Sequence, residues 1–391
     1  MRTMNFVKKL AALTAAFLIV LSFLAACGER RPDGIHETQV IRQLSVQEYG
    51  PYVFYSRGAV IRYNRTTNEV SRPGDDPECD GAELLNGTVT ELNQIYEGKL
   101  IFSCFTAFSH DFRYVSYDVV SGKTKVIASL GEAETAASHT AAVFDGYLYY
   151  ARKLLKEGGD KTKLSDYETY FCRTSLSGGS EERIMRADRA ALFAVTPGRL
   201  VTIKDGKLLS ADLNTKEETI LMDFDEYGFS GPAGKSSALG NSVFFLCKGV
   251  NNDQVIVRAD AAAGTAEVIV NEPVFSFCLT DGGIFYLPKV TRDGKMKDDN
   301  GEEITVPAEV PGNELRFCEI DGSGCRVAAK LGQVNARGDF TVIDGKLIGL
   351  LGAYDPEDAL SVTAFFGTID LKTGQYSTAF SPDAADAVTA R

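Results

Sequence analysis

The sequence predicts an all-β protein, a seven-bladed β-propeller of four-stranded antiparallel blades. Two repeated features carry this prediction. A polar turn motif recurs seven times along the chain, and seven glycines precede β-rich segments at spacings close to the length of one blade. After the first 26 residues, no long apolar segment has the 3.6-residue period of a helix, which also favours an all-β fold.

The N-terminus has the three parts of a secretory signal. Three basic residues lie within the first nine positions, an apolar segment covers 10–26, and small residues directly precede Cys27. Leu24, Ala25, Ala26 and Cys27 resemble the lipobox of bacterial lipoproteins. The resemblance implies diacylglycerol on the Cys27 thiol, cleavage before Cys27 and acylation of the new amino group. A retained membrane anchor is the alternative, because the apolar segment is near the lower length limit of a spanning helix.

These features divide the chain into four segments. We predict a lipoprotein signal peptide at 1–26, a tether and linker at 27–43, the propeller at 44–382 and a C-terminal tail at 383–391. Lipid on Cys27 would hold the propeller at the cell membrane or cell surface, outside the cytoplasm. The formal net charge is −12, and loss of the basic signal leaves the body more acidic still. Nucleic acid is therefore not an expected partner.

The turn motif predicts the hairpin between the third and fourth strands of each blade. Each copy has an extended apolar segment, a short polar residue, a polar turn and a second extended segment, as in YDVVSGKTKVI and ADLNTKEETIL. A short polar side chain at such a turn can accept hydrogen bonds from the backbone two residues on. Three positions earlier lies a slot that is apolar in six of the seven units and is predicted to be buried. The turn-opening residues are Asn64, Asp118, Ser175, Asp212, Asp260, Asp321 and Asp370.

The repeated glycines predict the hairpin between the first and second strands. Asp-Gly and Pro-Gly between apolar segments are hairpin signals, and successive glycines are 42 to 62 residues apart. Six blades preceded by an unrelated segment is the alternative, because the first unit, 49–72, is the shortest. The glycines are Gly50, Gly98, Gly146, Gly198, Gly240, Gly283 and Gly345.

The repeats resemble those of uncharacterised bacterial surface-lipoprotein propellers, and more distantly those of TolB-type and YWTD-type propellers. The resemblance covers about 44–382 and implies a closed ring of blades on a lipid-anchored chain. The chain has no tryptophan, so the WD, YWTD and Asp-box signatures are absent.

Two insertions lengthen the connection between the second and third strands. One is the lysine-rich segment 153–168 of the third unit, and the other is 289–313 of the sixth unit. Both are polar and contain glycine, so we expect surface loops on one face of the ring. Such insertions often mark the binding side of a repeat protein. An extra strand formed by EITVPAEV, 303–310, is the alternative for the second insertion.

Eight cysteines in an exported chain raise the question of disulfides. Cys27 is assigned to lipid, and five of the others lie in apolar strand patterns, so we expect mostly free, buried thiols. Cys318 and Cys325 flank one predicted turn and Cys79 lies in a loop, which makes these the positions where a disulfide is considered. The five in apolar patterns are Cys104, Cys172, Cys247, Cys278 and Cys318.

We expect no catalytic residue, metal or cofactor. His110, Asp111 and His139 could meet on one face as a weak metal or acid–base site, but solvated loop histidines are the simpler interpretation. The acidic segment 297–304 lacks the ligand spacing of a calcium loop. No nucleophile elbow, P-loop or metal-binding helix motif occurs.

The sequence therefore predicts a binding or scaffolding protein rather than an enzyme. It would be anchored through lipid on Cys27 and would bind a protein, peptide or glycan on one face of the propeller. The alternative is a propeller enzyme that acts on glycans or peptides of the cell envelope. Paired carboxylates near the mouth of the channel would favour that alternative.

Overall fold

The computed structural model describes residues 40–42 and 46–380, apart from gaps at 57, 78, 80, 87, 107–110, 133–135, 161–162, 188–190, 250 and 299. In this part of the chain, the strands form seven antiparallel sheets, each with four strands in chain order, and two of the sheets carry a fifth strand. The predicted seven-bladed propeller is confirmed. The first unit forms a complete blade, so the six-bladed alternative is wrong.

The strands of each blade are called A to D in chain order. The first four blades are β2 (Val46–Tyr49), β3 (Tyr52–Ser56), β4 (Val60–Asn64) and β5 (Val70–Ser71); β6 (Thr88–Tyr96), β7 (Lys99–Thr106), β8 (Asp111–Asp118) and β9 (Thr124–Glu132); β10 (Ala136–Phe144), β11 (Tyr147–Leu155), β12 (Tyr167–Ser175) and β13 (Glu182–Arg186); β14 (Ala191–Thr196), β15 (Arg199–Lys204), β16 (Lys207–Asp212) and β17 (Glu218–Asp223). A short helix, α1 (Ala82–Leu85), lies between blades 1 and 2.

Two of the last three blades carry a fifth strand. Blade 5 consists of β18 (Phe229–Leu239), β19 (Ser242–Gly249), β20 (Gln254–Asp260) and β21 (Thr265–Val270), with β1 (Val40–Arg42) added beside β18. Blade 6 consists of β22 (Val274–Thr280), β23 (Gly283–Lys297), β25 (Glu314–Cys318) and β26 (Arg326–Lys330), with β24 (Glu303–Pro311) added beside β23. Blade 7 consists of β27 (Val334–Ile343), β28 (Lys346–Asp355), β29 (Asp358–Asp370) and β30 (Tyr376–Phe380).

The A strands line the centre of the ring. Neighbouring A strands contact each other in the pairs β2 with β6, β6 with β10, β10 with β14, β14 with β18, β22 with β27 and β27 with β2. Blade 1 closes on blade 7 through side chains. Thr341 donates a 2.8 Å hydrogen bond to Glu48, and Arg65 forms a 2.6 Å ion pair with Asp344.

The hydrophobic core lies between the blades. Six clusters of buried residues in the described part of the chain each span two neighbouring blades. Because successive strand residues point to opposite faces, one strand supplies two clusters. Phe245 packs between blades 4 and 5, whereas Phe244 packs between blades 5 and 6. The predicted slot positions are all buried: Ile61, Val115, Cys172, Leu209, Val257, Cys318 and Gly367.

The predicted C–D turns form as expected. Asp212 accepts backbone hydrogen bonds from Asn214 at 2.8 Å and Thr215 at 3.0 Å, and these bonds lower the pKa of its carboxyl below 3.8. Side-chain acceptors open the equivalent turns in the other six blades, at Asn64, Asp118, Ser175, Asp260, Asp321 and Asp370.

The A–B glycines occupy left-handed turns, with one exception. In Glu97–Gly98, Asp145–Gly146 and Asp344–Gly345 both residues have positive φ, the two-residue hairpin geometry that suits strand twist. In blade 6 the turn is Asp281–Gly282, and Gly283 already belongs to β23. A Cβ on Gly283 would lie 2.4 Å from Cζ of Phe317. Gly283 is therefore required for close packing of strands B and C.

The structure corrects two expectations. The insertion at 289–313 is not a loop: it forms the outer half of β23 and all of β24, paired over 289–297 and 303–311. The alternative of an extra strand at 303–310 was right. Cys318 and Cys325 form a disulfide across the C–D turn of blade 6, so the expectation of a free Cys318 was wrong.

Candidate binding surface

The two faces of the ring differ in how far their strand connections project. The turn face carries the short A–B and C–D turns, and the arm face carries the B–C connections. In blade 4 the B–C connection is only Asp205–Gly206. In blade 6 it is a nine-pair hairpin over 289–311, called the blade 6 arm. In blade 7 the long strands β28 and β29 continue into a second hairpin, the blade 7 arm, residues 354–363.

The blade 6 arm is docked on the blade 7 arm through a small apolar cluster. Ala308 and Val310 of β24 are 7% and 4% exposed, and they pack against Ala359 and Tyr354. Burial is the largest cause of the raised pKa of the Tyr354 hydroxyl. Gly294 allows the close approach, because a Cβ there would lie 2.6 Å from Cγ of Leu360.

Polar contacts fix the same arrangement. Arg292 donates from Nη2 to the carbonyl oxygens of Asp355 and Pro356, at 3.3 and 3.1 Å. The backbone N–H of Lys295 donates a 2.8 Å hydrogen bond to Asp358, and this bond is the largest cause of the low pKa of that carboxyl. The two arms therefore form one ordered unit that projects from the ring.

The base of the blade 6 arm is held from the opposite side by blade 5. The side chain of Lys289 is only 7% exposed. Its Nζ lies 2.8 Å from the carbonyl oxygen of Asn252, 3.0 Å from Glu309 and 3.4 Å from Asp253. A buried ammonium needs such partners, so Lys289 joins the arm to the B–C connection of blade 5.

Exposed aliphatic side chains lie at the outer end of this unit. Met296 is 47% exposed and is directly opposite Ile304, which is 39% exposed. Both lie on the strand face that carries Gly294, and Leu360 beside Gly294 is 49% exposed. Exposed apolar groups that share one face are a feature of interaction surfaces. We call these three side chains, Met296, Ile304 and Leu360, the tip patch.

The predicted insertion in blade 3 is partly strand and partly loop. Three further residue pairs extend the β11–β12 ladder to Leu155 and Tyr167. Beyond them, Asp166 organises the connection by accepting a 2.9 Å hydrogen bond from the backbone of Asp160. Lys156 donates to the carbonyl oxygen of Ser165. This loop also projects from the arm face.

The histidine and calcium hypotheses gain no support from the described residues. Asp111 accepts hydrogen bonds from Arg113, Ser129 and the backbone of Gly131, a structural role inside blade 2. His110 lies outside the described residues, and of His139 only the backbone, in β10, is described. Asp298 accepts the backbone N–H groups of Asn300 and Glu302 and so caps the arm tip.

Two partly buried glutamates form hydrogen-bonded clusters that the sequence analysis did not identify. Glu181 accepts from the hydroxyl of Tyr150 at 2.7 Å and pairs with Arg152 at 2.9 Å. Glu272 accepts from the hydroxyl of Tyr286 at 2.6 Å and from Arg316, and burial with this carboxylate raises the pKa of Tyr286 to about 12. Each carboxylate is bound by its own tyrosine and arginine, so both serve to hold the blades.

The predicted lipidation site cannot be placed in the structure. Leu24, Ala25, Ala26 and Cys27 lie outside the described residues, so the signal and the lipid on Cys27 stay predictions. The α-helix in the described part of the chain, α1, has four residues, and no described helix can span a bilayer.

Comparison with known proteins shows the fold. No protein-family model matches the sequence, and no curated protein matches it. Among solved structures, puromycin hydrolase aligns with a TM-score of 0.50 and 12% identity, over 87% of this chain and 53% of that one. An acylaminoacyl peptidase aligns with a TM-score of 0.51 and 12% identity, over 89% of this chain and 54% of that one. TolB from Acinetobacter baumannii aligns with a TM-score of 0.36, 10% identity and 74% and 64% coverage.

The chain thus spans about half the length of the two hydrolytic proteins it matches. At 12% identity these likenesses establish a shared propeller architecture. That architecture hosts unrelated functions, so function has to be argued from the surface itself.

Proposed function

We propose that this protein is a lipid-anchored, extracytoplasmic binding module whose partner docks on the blade 6 and blade 7 arms. The observation that supports this most strongly is the docked pair of arms, because two hairpins from different blades are fixed to each other by Val310, Ala308 and Arg292. A rigid surface loses little conformational entropy on binding. The lipobox-like sequence before Cys27 supports the anchor.

The chemistry of the tip patch favours a protein partner over a glycan. Its exposed groups, Met296, Ile304 and Leu360, are aliphatic. Aliphatic and Met-containing surfaces suit the apolar side chains of a protein. Charged residues flank the patch, with Lys295 and Glu303 in a 3.9 Å ion pair, as expected for a polar rim around an apolar centre.

The anchor is tested by metabolic labelling with a fatty-acid analogue. Cys27→Ser should abolish the label, because a serine hydroxyl does not replace the thiol nucleophile. Undiminished label on this variant would overturn the lipoprotein assignment.

The partner surface is tested by cross-linking and affinity isolation of the full chain from its own membranes. Ile304→Glu places a charge in the tip patch and should remove the cross-linked protein. Val120→Glu is the matched control, since Val120 is 56% exposed in a C–D turn on the opposite face. Loss in both variants, or in neither, would contradict a protein partner on the arms.

A further inference from the structure

Strand β1 enters the central channel of the propeller. It pairs antiparallel with β18, the A strand of blade 5, with Val40 opposite Leu239 and Arg42 opposite Ser237. It also contacts β22 of blade 6 and β6 of blade 2. Blade 2 lies across the seven-membered ring from blades 5 and 6. A segment that touches A strands on opposite sides of the ring lies in the channel.

The register gives the direction in which the chain enters. Leu239 is the last residue of β18 and directly precedes the A–B turn of blade 5 at Gly240–Asn241. Because the pairing is antiparallel, Val40 is the residue of β1 closest to the turn face, and Arg42 is deeper in the channel. The N-terminal end of β1 therefore points toward the turn face.

The length of the tether prevents Cys27 from reaching a membrane that lies beyond the tip of the arms. Residues 28–39 separate Cys27 from Val40, and even fully extended this stretch spans about 45 Å. A path around the outside crosses four strands, about 14 Å, and then descends the eight residues of β19, about 26 Å. The nine residues of the blade 6 arm add about 30 Å more. The route of about 70 Å exceeds the tether.

We propose that the turn face of the propeller faces the anchoring membrane and that the arm face points away from it. This proposal rests on the proposed lipid at Cys27. Carboxylates such as Asp118, Asp212 and Asp260 open the C–D turns of the turn face, so the tether and not adsorption to anionic head groups sets the orientation. The tip patch is thus presented to an extracytoplasmic protein that approaches from outside, and not to the lipids of its own bilayer.

The orientation can be measured because the chain has no tryptophan. Asn241→Trp places one reporter in the A–B turn of blade 5, and Glu157→Trp places another in the blade 3 loop on the arm face; both positions are exposed. The full acylated chain is reconstituted in phosphatidylcholine vesicles that contain dansyl-labelled lipid. Energy transfer from Asn241→Trp should exceed that from Glu157→Trp several-fold. Equal or reversed transfer would overturn the proposal.

A disulfide cross-link tests the direction of β1 without depending on the lipid at Cys27. Val40 lies directly opposite Leu239 in the β1–β18 register, and Arg42 lies directly opposite Ser237. Directly opposed strand residues are close enough for a disulfide. In the full-length chain, Val40→Cys with Leu239→Cys should cross-link on oxidation. Val40→Cys with Ser237→Cys, which would be opposed only if β1 ran parallel to β18, should not.

The two experiments have distinguishable failures. If the Val40–Leu239 cross-link does not form, or the Val40–Ser237 control cross-links equally, the N-terminal end of β1 does not point toward the turn face and the orientation is wrong, whatever the state of Cys27. If the cross-link forms but the protein does not float with the vesicles, the lipid anchor is wrong, and with it the membrane-facing role of the turn face.

Discussion

Truncation of Val310 to alanine tests whether the two arms are docked as one unit. Val310 is 4% exposed and packs with Ala308, Ala359 and Tyr354. Loss of two buried carbon groups at about 0.8 kcal/mol each weakens docking by about 1.5 kcal/mol. A free energy of this size corresponds to about a tenfold change in the docking equilibrium.

Amide hydrogen exchange at Lys295 reports docking directly. Its N–H donates to Asp358 of the blade 7 arm, so this hydrogen bond exists only while the arms are in contact. In Val310→Ala this amide should exchange about tenfold faster. Val327→Ala makes the same chemical change on strand D of blade 6, where Val327 is 46% exposed, and should leave the exchange rate unchanged.

Two results would refute this reasoning. Wild-type exchange at Lys295 in Val310→Ala would mean that the apolar cluster does not hold the arms together. Equal acceleration in blades 1 to 4 would mean that the substitution acts on the whole propeller instead of on the arm.

Three further predictions concern other parts of the fold. Thiol counting on the denatured, unreduced chain should find Cys79, Cys104, Cys172, Cys247 and Cys278 free and Cys318–Cys325 oxidised; three or fewer free thiols would contradict the structure. Gly283→Ala should lower the unfolding free energy by about 1–3 kcal/mol in denaturant titration, because its Cβ would lie 2.5 Å from the carbonyl oxygen of Cys318. Gly282→Ala has open space and should cost far less. Finally, the hydrogen bond from the backbone N–H of Lys295 lowers the pKa of the Asp358 carboxyl below 3.8. The docking energy that this hydrogen bond supplies is therefore fully present above pH 3.8 and is lost as the pH falls through the lowered pKa. Protection of the Lys295 amide, corrected for intrinsic exchange, should decrease in that acid range and become independent of pH in Asp358→Asn.

The blades could be predicted from the sequence because their signals are local. The carboxylate of Asp260 closes its turn by accepting N–H groups only two and three residues away. The Asp145–Gly146 hairpin depends on the φ preferences of two adjacent residues. Such signals recur once in each blade, so a seven-fold repeat was enough to predict the ring.

The sequence offered the extra strand at 303–310 only as an alternative, and local signals could not decide in its favour. β24 contains two prolines, and its buried side chains, Ala308 and Val310, are buried by partners some 50 residues further along the chain. Without those partners the segment has the composition of a polar loop. The sequence named Cys318 and Cys325 as positions for a disulfide because they flank one predicted turn, but free thiols were expected because Cys318 shares its buried slot with the free Cys172.

The sequence by itself determined the repeat, the turn chemistry and the buried slots, because each depends on residues close together along the chain. Only the tertiary structure decided what fills the channel and which face carries the arms. The three residues of β1, Val40–Arg42, carry no signal that separates a strand from a linker. They become a strand because they pair with the inner edge of β18, nearly 200 residues later, and an open strand edge offers backbone groups for pairing.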